Sequence, residues 1–180
     1  MAKDIWIGDV QNGDYDGQDV ELKGWVKRTR GSNKIRFVVL RDSTGTIQCV
    51  AKRDVVGDDA FEAIASALIE SSLIINGTVN VDERSEGGHE LVVSSVEIVG
   101  PVDPERPFPI TESAMKAADG GETEFLLDNR HLYLRTSRMT TMLKMRSSVF
   151  GAIHSYFRDL DFVEYQLSLI HISEPTRPLH

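Results

Sequence analysis

Arg28, Arg30 and Lys34 put three cations within seven residues, and Phe37 follows. These types have complementary chemistry. Cations attract an anionic backbone, and an aromatic ring offers a stacking face. Such a set suits an unpaired nucleobase on its phosphate chain. On position alone a plainer reading stays open, in which Phe37 packs under a loop and the charges are simply solvated.

The elements that must hold these residues lie in Val20 to Lys52, where apolar and polar residues alternate with the period of strands. In the first run, Val20 to Arg28, Val20, Leu22 and Val26 share one face, with Glu21, Lys23, Trp25 and Lys27 opposite. In the second, Lys34 to Arg41, Val38 and Leu40 oppose Ile35, Phe37 and Val39. In the third, Thr46 to Lys52, Ile47, Cys49 and Ala51 oppose Gln48 and Val50. Gly31-Ser32-Asn33 and Asp42-Ser43-Thr44-Gly45 supply turn residues between them. A helical spacing over Gly57 to Ser71 follows, then strands over Leu73 to Asp82 and Glu90 to Val99, joined by Ser85-Glu86-Gly87-Gly88. Three strands, a helix and two strands is the order of the OB-fold, a five-stranded Greek-key barrel that binds oligonucleotides or oligosaccharides on strands two and three. Phe37 and Gln48 belong to those strands.

The net charge of −8 looks wrong for a nucleic-acid binder until it is divided along the chain. Asp19 to Arg53 holds nine Lys/Arg against three Asp/Glu, a local +6, whereas Asp54 to Phe125 sums to −13. Local potential, more than net charge, attracts a polyanion. The single cysteine, Cys49, reads as a small buried apolar residue in a reducing compartment, and it excludes a disulfide within the chain. Five histidines show no ligand spacing with it, so no metal site is inferred. Lys3 and Asp4 follow the first residue without an apolar leader, and no run is long enough to span a membrane. A cytoplasmic protein that does not engage a membrane is expected.

Residues 1–18 hold an apolar cluster, Ile5-Trp6-Ile7, expected to form a lead-in helix or strand packed on the barrel. Four of six prolines lie in Pro101 to Pro109, the composition of a stiff linker. A short helix is expected over Thr111 to Asp119, then a long one from about Ser137 to Leu160. The apolar residues of the latter, from Met139 to Leu160, recur at three- and four-residue steps, and a brief strand at Phe162 to Tyr165 follows.

VELKGWVKRTRGSNKIRFVVLRDSTGTIQCV resembles the anticodon-binding OB domain of the class IIb aminoacyl-tRNA synthetases. EFLLDNRHLYLRTSRMTTMLKMRSSVFGAIHSYFRDLDFVEYQ resembles the hinge and first catalytic-domain helix of that family's asparaginyl branch. The likeness covers residues 19–166, and its parts are specific together: GWV, F-x3-RD, G-x2-Q and HLYLR. It implies a mainly β chain with α: an OB-fold barrel with an anticodon-binding role over 1–100, a hinge over 101–136, and the start of a truncated class II catalytic domain over 137–166. It further implies that Phe37 stacks on the central uridine of the anticodon, that Gln48 hydrogen-bonds its edge and that Arg30 contacts base or backbone. Arg28 and Lys27 become phosphate contacts. The long helix would be motif 1, which builds a homodimer interface in the complete enzyme.

Residues 167–180, LSLIHISEPTRPLH, fit no part of the family and resemble a translated adapter, so they are set aside as a non-native tail. The family's motifs 2 and 3, which hold ATP, Mg²⁺ and the activated amino acid, have no counterpart here. No catalytic residue is assigned, and this stretch alone is expected to be inactive. The resemblance thus points to the N-terminal part of an ATP-dependent ligase joining asparagine to its tRNA. The aspartate enzyme, a stand-alone OB-fold RNA-binding module and a single-stranded DNA-binding protein are the alternatives. The last would want several stacking aromatics along a groove, whereas Phe37 is nearly alone.

Overall fold

The structure, a computed structural model, describes residues 5–110 and 123–165. The expected helix at Thr111 to Asp119 and the tail at 167–180 lie outside the described residues. The chain divides into two compact units, Met1–Pro109 and Ile110–His180.

In the first unit, helix α1 (Ile7–Gln11) precedes β1 (Asp19–Gly31), β2 (Ile35–Arg41) and β3 (Thr46–Lys52). Helices α2 (Arg53–Val56) and α3 (Asp58–Ser66) lead to β4 (Ser72–Val81) and β5 (His89–Gly100). The strands close into a barrel in the order β1-β2-β3-β5-β4, with β3 and β5 parallel through Gln48↔Glu90, Cys49↔Leu91 and Val50↔Val92 and the other pairs antiparallel. This is the expected OB-fold. The alternating inward residues, among them Leu22, Val26, Val38, Leu40, Ile47, Cys49, Ile75 and Leu91, form one core. Each such aliphatic side chain contributes roughly 1.5–3 kcal/mol through burial. Gly24 lets β1 approach β2, since a Cβ there would lie 2.5 Å from the Arg41 carbonyl oxygen. No side chain fits.

The lead-in segment is a helix, tied down through Asp42. This buried carboxylate accepts from Ile7 N (2.8 Å), Thr44 N (2.7 Å) and Gly45 N (2.8 Å), fixing the β2–β3 turn and α1 together. Helix α3 is shorter than the spacing predicts. Ala67 turns extended and Glu70 takes a left-handed φ of 72°, so that Glu70 N reaches Val26 O at 2.7 Å. Arg41 Nη2 then meets both carboxylate oxygens of Glu70, at 2.9 and 3.0 Å. Backbone pairing to β1 has overridden helical spacing. Phe61 of α3 is fully buried, with the guanidinium of Arg53 over its ring at 4.3 Å and that of Arg36 at 5.8 Å. Acidic partners Asp58 and Glu62 hold Arg53 and raise its pKa further, Asp58 having the larger effect.

In the second unit, α4 (Thr123–Asp128) and α5 (Arg130–Tyr133) precede α6 (Ser137–Asp159). Thr136 caps α6, its hydroxyl accepting from Met139 N at 3.4 Å. The apolar stripe is formed as its spacing predicts, yet Met142, Val149, Phe150, Ile153, Phe157 and Leu160 stay between 45% and 58% exposed. Phe162 to Tyr165 is not a strand. A strand needs a ladder partner, and here Asp161, at φ 61°, turns the chain back so that Phe162 N bonds Phe157 O and Glu164 pairs with Arg158 at 2.6 Å. Among the described residues no helix is long and apolar enough to cross a membrane.

Candidate nucleic-acid interface

The outward cluster depends on a bulge in β1. Up to Val26 the strand buries every second residue; the register then shifts between Val26, opposite Leu40, and Arg28, opposite Val39. Lys27 is the extra residue and sits half-buried. Continued alternation from Val26 would turn Arg28 and Arg30 inward. The bulge inverts that phase, and both arginines are exposed.

Arg30 lies directly opposite Phe37, and Phe37 opposite Val50. Gln48 pairs with Val39 and so shares the outer face with Phe37, one diagonal step away. Phe37 and Gln48 are half-buried on that face, not in the barrel interior. The Arg30 guanidinium stands over the Phe37 ring, 5.3 Å from its centre, and Arg30 Nη2 donates to Gln48 Oε1 at 3.0 Å. Arginine has only donors, so this bond fixes which way the amide points and leaves its NH₂ group on the side away from that bond. The three residues form one unit: a ring that carries the Arg30 guanidinium over one face, and an amide edge that the same guanidinium fixes.

Arg28, Arg30, Val39 and Gln48 line a cleft of about 220 Å³, whose other wall is Arg84, Ser85 and Glu86 of the β4–β5 loop. Lys27 is not among its lining residues, and Lys34 is exposed beyond the bulged end of β1. Sequence reasoning found the loop but not its place. The signal was available in the barrel topology, because parallel pairing of β3 with β5 sets the β4–β5 loop beside Gln48. The loop is internally bonded: Asp82 accepts from Arg84 N (3.1 Å), Arg84 Nε (3.2 Å) and Ser85 Oγ (3.3 Å). The bond from the Arg84 amide, with that from its side chain second, holds the Asp82 carboxyl below the usual carboxylate range. Cys49, behind Gln48 on β3, has its thiol pushed up to about 12 by burial and stays protonated. It is a core residue. Among the described residues no group of three or more His, Cys, Asp or Glu is placed to hold a metal ion.

Residues 20–99 match the family model described as the OB-fold nucleic acid binding domain. The chain is 41% identical over 160 residues to an asparagine–tRNA ligase of Thermoplasma acidophilum, a match covering 89% of this chain and 35% of that protein. It is 40% identical over 158 residues to one of Symbiobacterium thermophilum, covering 88% and 34%. The crystal structure of asparaginyl-tRNA synthetase from Pyrococcus horikoshii superposes with a TM-score of 0.80 at 31% identity, covering 94% of this chain and 38% of that one. The chain therefore spans about a third of the length of the curated relatives it matches. The chain is thus similar over most of its own length to asparagine–tRNA ligases, and its residues 20–99 are an OB-fold nucleic acid binding domain.

Proposed function

We propose that this chain is the N-terminal portion of an asparagine–tRNA ligase and that its barrel reads the anticodon of the tRNA. The observation that carries the proposal is the Arg30–Phe37–Gln48 cluster on the outer face of β1–β3, within the domain that matches a nucleic-acid-binding family. The central uridine stacks on Phe37, which any base could do. Gln48 supplies discrimination, because its amide edge is held by Arg30 while the base edge comes to it. Arg28 and Lys27 contact phosphates.

The domain division follows: barrel over 1–100, hinge over 101–136, start of the catalytic domain over 137–166, and a non-native tail over 167–180. The exposed stripe on α6 fits a homodimer interface in the whole enzyme. ATP and Mg²⁺ serve the whole protein in joining asparagine to tRNA. None of the described residues is assigned to the reaction. The 180-residue chain alone should show no ATP–pyrophosphate exchange. The parent would act in the cytoplasm, where tRNA is charged.

The test is fluorescence anisotropy with anticodon stem-loops that differ only in the central base. Tighter binding of the uridine form, weakening steeply as salt rises because phosphate contacts release counterions, is the expected result. Equal binding of all four bases would leave only a generic RNA-binding barrel.

A further inference from the structure

The segment before β1 touches the same loop that walls the cleft. Gln11, at the end of α1, donates from Nε2 to the Thr46 carbonyl at 2.8 Å, at the first residue of β3. The rest of its amide is wedged between two glycines. A Cβ on Gly45 would lie 2.9 Å from Gln11 Oε1, and one on Gly87 would overlap the Gln11 amide outright. Gly87 has a φ of +85°, a backbone state that side chains also resist. A few residues on, Asp16 Oδ1 lies 2.9 Å from His89 Nε2, while His89 Nδ1 lies 3.0 Å from the Gly87 carbonyl oxygen. The His89 side chain is only 12% exposed. Gly17 N also bonds Val79 O at 3.0 Å, near the end of β4. The β4–β5 loop is thus gripped at its root from outside the barrel ladder.

The loop itself is a preformed piece, with Ser85 N to Asp82 O at 2.9 Å and Asp82 N to Gly88 O at 3.0 Å. A stiff loop moves as one body, and the contacts at its base limit its swing toward or away from β3. We propose that Gln11, Asp16 and His89 are positioning residues that fix this swing, so that Arg84 and Glu86 stand across the cleft from Arg28 and Gln48 when RNA binds. This rests on the RNA-reading role proposed above. It gives the N-terminal segment a purpose in recognition rather than in barrel stability alone. The Arg84 side chain is 92% exposed, so its position is set by the loop and not by packing of its own.

The test is a double-mutant cycle on the full chain, read by anisotropy with the central-uridine stem-loop, with melting temperature as a check on folding. Asp16→Asn and Arg84→Ala should each weaken binding about three- to tenfold. The double variant should be little weaker than the worse single one, because a loop already released gains nothing from its arginine. Gln11→Ala, which withdraws the wedge from the other side, should show the same non-additivity with Arg84→Ala if Asp16→Asn lowers the melting temperature. Additive losses, or unchanged affinity in Asp16→Asn and Gln11→Ala, overturn the positioning role and leave the RNA reading intact. If Phe37→Ala fails to weaken binding, the RNA reading falls, and the positioning role falls with it.

Discussion

Phe37 and Gln48 divide the labour of recognition, and their substitutions should separate it. Phe37→Ala removes a stacking face and should cost roughly 1–3 kcal/mol of RNA affinity, nearly regardless of the central base. Gln48→Ala should cost less overall but shrink the preference for uridine over cytidine, since the amide edge carries the discrimination. Anisotropy titrations of both variants against stem-loops with each central base would measure this. Retained preference in Gln48→Ala would remove the amide from the assignment. Their shared outer face was legible in sequence, because period-two alternation puts both opposite the buried residues of adjacent strands. The bond between Arg30 and Gln48 was not legible. It depends on a cross-strand register that a list of alternating residues does not contain.

Among the elements, the strands were readable to within a few residues because each has one buried face and a turn at each end. The parity change at Lys27 was not, since a bulge leaves no mark on composition. The lengths of α3 and of the stretch after α6 were misjudged because pairing decides where spacing stops counting: β1 bonds the chain after Ala67, whereas Phe162 to Tyr165 has no ladder partner among the described residues. The β4–β5 loop yields a pH prediction. The depressed pKa of Asp82 means that its hydrogen bonds contribute order fully above the ordinary carboxylate value of about 3.9, and that this contribution is lost as pH falls through the lower folded value. The protection of the Arg84 amide, its exchange rate set against that of an unstructured amide at the same pH, should therefore fall in acid while that of core amides such as Leu40 holds. Exchange that changes only with global unfolding would refute a locally held loop.

For the molecule as a whole, charge and apolar surface are segregated along the chain: the +6 stretch lies in the barrel, the bare stripe on α6. The stripe should drive self-association. Sedimentation velocity should show a concentration-dependent dimer for the full chain, and Phe150→Lys with Ile153→Lys should return it to monomer while leaving RNA affinity unchanged. A chain that stays monomeric at every concentration would sink the dimer face. The closed ladder of the barrel gives this a further turn. Among the described residues of the first unit, every strand has a neighbour on both sides, and none lies along an open sheet edge for its whole length. Any gelling or precipitation of the folded protein is then expected to run mainly through the side chains of α6. A concentrated sample that clouds should do so without the infrared signature of new intermolecular strands, and it should clear when the helix is given charge.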